Sequence, residues 1–424
     1  MERYSEYKDS GIQWLGEIPK HWEIKQLRSF LKLYSEKGHG DAQLLSVTRE
    51  QGVITRDKDN KEENHNYVPE DLSGYKYVEK GDFVINKMKA WQGSYDVSDY
   101  DGIVSPAYFT CKLQGVDKNF FSKAIRSKSY IGFFASYSKG IRVGQWDLEP
   151  EALKSIPFFL PPLPEQKRIV DFIESKTSNI NAYVAERERE LALLNELKEA
   201  EIANVVTRGL NPDVRMKDSG IPWIGMIPEH WESYRFATLC KVKSICNCED
   251  EELLSVYLDR GVIRFADDDN RRTNPTSKDL SKYQLVEYGD FVLNNQQAWR
   301  GSVGVSKYRG IISPAYFIFS LSNKLDPDFA NYMFRSKNYV AYYYICSKGI
   351  GSIQRNLDWN QLKQKRIFIP SVDEQRSIVA HIENKCAKVN SLITELEAEI
   401  DYLKEYKQRL IADCVTGQIN IQNK

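Results

Sequence analysis

The chain lacks most of the features that would mark a membrane protein, a secreted protein or a self-sufficient enzyme. No apolar run approaches the roughly 18 residues that cross a bilayer. The opening Met1-Glu2-Arg3-Tyr4-Ser5-Glu6 offers no apolar stretch for a secretory signal, so a cytoplasmic protein with no membrane contact is expected. Seven cysteines, an odd number thinly spread, predict reduced thiols rather than a disulfide framework. There is no Gly-x-x-x-x-Gly-Lys-[Ser/Thr] loop to cradle a nucleotide phosphate, and no Asn-Pro-Pro-Tyr or Asp-Pro-Pro-Tyr run of an amino-methyltransferase. Gly38-His39-Gly40 has no strand signature before it and reads as a turn. Cys240, Cys246 and Cys248 form the one cysteine cluster, three thiols without a placed fourth ligand for zinc. Net charge is missing too: 59 Lys+Arg against 59 Asp+Glu excludes a polycationic wrapper of nucleic acid.

What is present is a folded composition, with 42% hydrophobic and 12% aromatic residues. A length of 424 residues suits two or three domains. The decisive feature is a long repeat. Lys8-Asp9-Ser10-Gly11-Ile12-Gln13-Trp14-Leu15-Gly16-Glu17-Ile18-Pro19-Lys20-His21-Trp22-Glu23 returns at Lys217 to Glu232 with twelve of sixteen positions identical. Leu44-Leu45-Ser46-Val47 returns at Leu253 to Val256, Gly81-Asp82-Phe83-Val84 at Gly289 to Val292, and Ala90-Trp91 at Ala298-Trp299. Ser105-Pro106-Ala107-Tyr108-Phe109 returns at Ser313 to Phe317, and Ser138-Lys139-Gly140-Ile141 at Ser347 to Ile350. The matches are collinear at an offset of 208 or 209, far beyond a solenoid period of about 20–50 residues. One unit has been written twice, making a pseudo-dimer within one chain.

Each unit begins with a mixed stretch, residues 1–163 and 210–371, rich in aromatics, β-branched residues and turn signals. Phe83-Val84-Ile85 and Tyr316-Phe317-Ile318-Phe319 read as strands, Phe120 to Ser127 and Pro327 to Ser336 as short helices. Each then continues into a long run free of proline and glycine, within 164–209 and 372–424. Pro164-Glu165 and Asp373-Glu374 suit helix starts. In the second run Val389, Ile393, Leu396, Ile400, Leu403, Lys407, Leu410 and Cys414 alternate by four and three, a heptad seam. Ile180, Val184, Arg187, Leu191, Leu194, Lys198, Glu201 and Val205 repeat it more weakly in the first. Helices over 165–208 and 374–416 would be about 65 Å long at 1.5 Å per residue. The predicted fold is α+β: two tandem mixed α/β domains, each followed by a long helix. The two helices are expected to pair as an antiparallel coiled coil with pseudo-two-fold symmetry. Residues 174–201 carry four basic against seven acidic groups and 383–405 three against six, so these segments hold −6 and the rest of the chain +6.

In layout and motifs the chain resembles the specificity (S) subunit of type I restriction–modification enzymes. The resemblance rests on the Ser10 to Trp22 string and its repeat, the two Ser-Pro-Ala-Tyr-Phe runs, Leu163-Pro164-Glu165-Gln166 and Val206-Thr207-Arg208-Gly209-Leu210. Ser371-Val372-Asp373 departs from the usual Pro-Leu-Pro. The resemblance implies two target-recognition domains that each read half of a bipartite double-stranded DNA target, with the paired helices setting the gap. It implies a non-catalytic chain that binds two modification (methyltransferase) subunits and, through them, restriction subunits. S-adenosylmethionine, ATP and magnesium would then sit in the partners, and no cofactor in this chain. An adaptor with two protein-binding heads is the competing reading.

Positions that differ inside matched segments are where two specificities can diverge. Asn86 to Ser94 aligns with Asn294 to Ser302, holding Asn, Trp and Gly but varying Lys87, Lys89 and Gln92 against Asn295, Gln297 and Arg300. Lysine and arginine suit guanine edges, asparagine and glutamine adenine edges. Spacing of two would put residues 87 and 89 on one strand face. A second segment supplies Lys139, Arg142 and Gln145 in one unit and Lys348, Ser352, Gln354 and Arg355 in the other. The held lysines are expected on phosphates. Thr48-Arg49 against Tyr257-Leu258-Asp259-Arg260 is a third candidate. His21 and His230, inside an aromatic string, are expected to pack or cap. The string itself is a candidate surface for the modification subunits, or simply core.

Overall fold

The computed structural model describes residues 2–13, 15–57, 69–142, 145–267, 279–350 and 354–421. It divides into two compact units, Met1–Glu188 with Ala398–Lys424, and Arg189–Glu397. The cut passes through both long helices.

The first unit holds a four-stranded antiparallel sheet ordered Leu31–Tyr34, Tyr108–Leu113, Phe83–Asn86, Tyr95–Val97. Phe83, Val84 and Ile85 are fully buried, so this unbroken apolar run is covered on both faces. Two helices, Lys118–Ile125 and Lys128–Tyr137, pack nearby. Asp117 caps the former by accepting from the Phe120 amide at 2.9 Å. The second unit repeats the plan with Cys240–Lys243, Tyr316–Leu321, Phe291–Asn294 and Val303–Val305. Its helices are Pro327–Arg335, capped by Asp326, and Lys337–Ile345.

The long helices run over Leu163–Arg208 and Val372–Val415, within two residues of their predicted bounds. Every predicted seam position on both is buried or half-buried. Within the first unit Lys407 reaches Asn181 at 2.7 Å and Lys404 reaches Glu188 at 2.8 Å. Within the second, Lys198 reaches Asn390 at 2.7 Å and His381 reaches Glu201 at 2.8 Å. One partner number falls as the other rises, so the segments pair antiparallel in each unit.

Each core is sealed by the start of one long helix and the end of the other. In the first unit Ile169, Val170 and Ile173 meet Leu410, Cys414 and Val415; in the second Ile378, Val379 and Ile382 meet Val205 and Val206. The Glu-Gln pair at each helix start explains itself here. The buried Glu165 accepts from Trp22 Nε1 at 3.0 Å and Tyr4 Oη at 2.6 Å, with His21 Nε2 at 2.8 Å. Glu374 repeats this with Trp231 at 3.2 Å and His230 at 2.9 Å. Gln166 accepts from the Asp117 amide at 2.8 Å and donates to the Pro161 carbonyl at 2.8 Å, tying helix start to sheet layer. Gln375 does the same with Asp326 and Pro370. The expectation that the aromatic string meets a partner fails for its second tryptophans. Trp22 and Trp231 are among the largest fully buried side chains, because their rings fill the apolar cores while the helix-start carboxylates satisfy their indole N–H groups. Gly417 ends the second long helix at φ 72°, and a Cβ there would lie 2.3 Å from Pro19 Cδ.

Candidate nucleic-acid interface

The segment carrying the first set of candidate residues is a turn, not the strand predicted from the spacing of 87 and 89. The strands stop at Asn86 and Asn294, and single 3-10 turns follow at Ala90–Gln92 and Ala298–Arg300. In the first unit the backbone closes the turn, Lys89 N donating to Asn86 O at 3.0 Å, and in the second the held asparagine's side chain contributes. Asn294 Oδ1 accepts from the amides of Gln296 at 3.0 Å and Gln297 at 3.2 Å, which folds the chain back on itself. Gly93 and Gly301 then close the turn at φ 91° and 103°, a conformation that disfavours side chains.

On this turn Lys89 and Arg300 are exposed, and Gln92 and Gln297 are half-buried. The Arg300 guanidinium lies 5.8 Å from the Trp299 ring centroid. Lys87 is half-buried, with its ammonium 3.1 Å from Asp147. Asn295 is half-buried and accepts from the Leu357 amide.

The second candidate segment folds as a hairpin, Lys139–Arg142 with Gln145–Asp147, and Ser347–Ile350 with Gln354–Leu357. Arg142 faces Gln145, and Ile350 faces Gln354, in register at the open end. The side chains of Arg142, Gln145 and Gln354 lie outside what the structure describes, as does Ser352. Lys139 and Lys348 are exposed, and Lys348 stands 3.7 Å from Asp358. Arg355 stacks over Tyr344 at 4.4 Å and donates to the Ser347 carbonyl at 2.9 Å.

The structure brings these segments together in each unit. Leu148 N donates to Lys87 O at 3.2 Å, and Leu357 N to Asn295 O at 3.2 Å, seating hairpin against turn. The third candidate joins them from the other side. Arg126 donates to the carbonyls of Arg49 at 3.2 Å, Glu50 at 2.7 Å and Tyr95 at 3.1 Å. Arg335 bonds Leu258 and Asp259 in the same way, and Ser302 Oγ donates to Val256 O at 3.1 Å. Burial lowers the Arg335 pKa from its usual value, against the pull of Asp259, yet an arginine stays charged. Arg49 and Arg260 are thereby presented outward on pinned turns. Sequence reasoning missed Arg126 and Arg335, although an Arg-Ser-Lys run recurs there at the repeat offset. It also missed Trp146, which stacks on Trp91 at 5.2 Å, for which no local signal exists.

Other singled-out residues stand apart. Cys240 is fully buried, and burial pushes its thiol well up. Cys246 and Cys248 lie against backbone carbonyls at 3.8 Å. No helix of the described residues is long and apolar enough to cross a membrane.

No family model matches the chain. A protein of Methanocaldococcus jannaschii, named as a type I restriction enzyme MjaX specificity subunit, is 22% identical over 96% of both chains. A chain from a structure of the type I R-M system, solved for its complex assembly and conformational transition, aligns at TM-score 0.65 and 15% identity. It covers 95% of this chain and 99% of its own. The HsdS subunit from Thermoanaerobacter tengcongensis aligns at TM-score 0.48 and 14% identity over 95% and 98%. Over nearly its whole length the chain is thus similar to a type I restriction enzyme specificity subunit in sequence, and to a chain of a type I R-M system in fold.

Proposed function

We propose that each unit reads one half of a bipartite double-stranded DNA site through its turn and hairpin. The observation that carries this is the doubled surface. One turn, one hairpin and one pinned arginine turn occur in both units on a held scaffold, and the side chains they present differ. Lys89 and Gln92 in the first unit, and Gln297 and Arg300 in the second, are the base-reading residues on this proposal, with Arg142, Gln145, Ser352, Gln354 and Arg355 on the hairpins. Lys139 and Lys348 hold phosphates. The long helices set the gap between half-sites, and their exposed Leu193, Leu197 and Leu392 give modification subunits an apolar surface.

The chain itself is non-catalytic on this reading. The methyl donor S-adenosylmethionine, and the ATP and magnesium that drive restriction, belong to modification and restriction subunits in the cytoplasm. Binding to duplexes with the two half-sites at varied gaps tests the proposal. Affinity should peak at one gap and collapse when either half is scrambled. Equal affinity for all duplexes, or none, would favour a protein-binding adaptor instead.

A further inference from the structure

The contact between turn and hairpin varies between the units in pairs, not one residue at a time. In the first unit Lys87 and Asp147 make an ion pair at 3.1 Å, both about a third exposed. The hairpin registers put Asp147 opposite Lys139 and Asn356 opposite Lys348, so Asn356 is the counterpart of Asp147. Lys87 likewise corresponds to Asn295. The two positions that carry a lysine and an aspartate in one unit thus carry two asparagines in the other, with no net charge in either.

The backbone bond beneath is the same in both, amide to carbonyl at 3.2 Å. In the second unit Asn295 Oδ1 adds a bond from the Leu357 amide at 3.0 Å, doing with an amide what the first unit does with an ion pair. The ring contacts shift in step. Trp146 stacks on Trp91, whereas Arg355 in its place lies on Tyr344, with Trp299 6.3 Å from that ring. Exchanging only Lys87 would leave the Asp147 carboxylate uncompensated on a surface meant for phosphates. Exchanging only Asp147 would release Lys87 from the hairpin.

We propose that the Lys87–Asp147 ion pair in the first unit, and the Asn295 bond to the Leu357 amide in the second, are positioning contacts that seat each reading hairpin on its reading turn. Lys87 then acts through the hairpin and does not read a base. The idea rests on the DNA-reading function proposed above and adds a rule to it: the two segments can be exchanged between specificities only together.

The test measures the duplex affinity of the purified full chain, and maps methylated sites in cells carrying it with a modification subunit, for wild type, Lys87→Asn, Asp147→Asn and the double variant. Thermal unfolding of each purified chain accompanies the mapping. Lys87→Asn alone should weaken binding by about tenfold, the size of a typical coupling between two side chains in contact. The double variant should recover most of that affinity with the original half-site unchanged. If Lys87→Asn changed the base preferred in its half-site, and adding Asp147→Asn did not restore it, Lys87 would be a reader and the pair no lock. If both variants unfolded like wild type but the double bound no better than Lys87→Asn, the pairing would likewise be wrong. A wild-type chain that yields no bipartite motif would overturn the DNA-reading function itself, and the inference with it.

Discussion

The Lys243 ammonium lies 2.6 Å from the Asp290 carboxylate, on a strand where the first unit places a tyrosine. Asp290 and its counterpart Asp82 belong to the repeated Gly-Asp-Phe-Val string. Each is buried and accepts from its own turn, Asp82 from the Glu79 amide at 2.9 Å and Asp290 from the Glu287 amide at 2.8 Å. A buried carboxylate needs a cation. The first unit supplies Lys112 at 2.9 Å from the neighbouring strand, with Tyr34 donating a further hydrogen bond to Asp82. Tyr34 matches Lys243, and Lys112 matches Ser320. The cation has changed strands while the carboxylate has stayed.

This relationship predicts a rescue. Lys243→Met should destabilise the second unit by about 3 kcal/mol, the usual cost of orphaning a buried ion-pair partner. Lys243→Tyr with Ser320→Lys rebuilds the first unit's arrangement and should restore most of the loss. Urea midpoints of the three chains check it.

The same pair sets an alkaline limit. Burial works against the Lys243 charge, but hydrogen bonds to Asp290 and Glu287 outweigh it and hold its pKa above the ordinary lysine value. Lys112 is raised likewise by Glu79 and Asp82. A raised folded pKa means the contribution is complete below the unfolded value, about 10.4, and is lost as pH climbs through the folded one. Stability should therefore fall steeply in that alkaline window. Denaturant titrations from pH 8 upward should show a shallower fall for Lys243→Met than for wild type.

At the helix starts, Glu165→Ala should cost more than Glu374→Ala. Glu165 leaves the indole of Trp22 and the hydroxyl of Tyr4 without their acceptor in a closed site, a loss of about 3 kcal/mol. The Glu374 side chain is 28% exposed, and water can replace it for Trp231. Differential scanning calorimetry of the two variants should show the larger Tm drop for Glu165→Ala.

Much of this was legible in the residues. The duplication is visible as strings, and the long helices as seams whose period no other structure shares. The turn at 86–94 misled because its alternation looks like a strand, although in its counterpart Asn294 bonds amides only two and three residues on, a local signal that was passed over. Lys87 looked free because its partner Asp147 lies 60 residues away. The swap between Lys112 and Lys243 was hidden for the same reason: a ladder, not the chain, makes those positions neighbours.

On the proposed function, contacts to phosphate and contacts to bases should separate in the second unit. Lys348→Ala should weaken binding to every duplex about equally and flatten the slope of log affinity against log salt by about 1. Arg300→Ala or Gln297→Ala should relax the sequence preference of one half-site. Fluorescence anisotropy over a salt series, on matched and mismatched duplexes, distinguishes the two.

The most direct test of sequence reading is a map of methylated adenines in cells carrying this chain and its modification subunit, before and after Gln297→Ala with Arg300→Ala. Two short half-sites at a fixed gap are predicted, with the exchange altering one half and leaving the other and the gap untouched. An unchanged motif would mean that the turn does not read DNA, and the absence of any bipartite motif would contradict the proposed function outright.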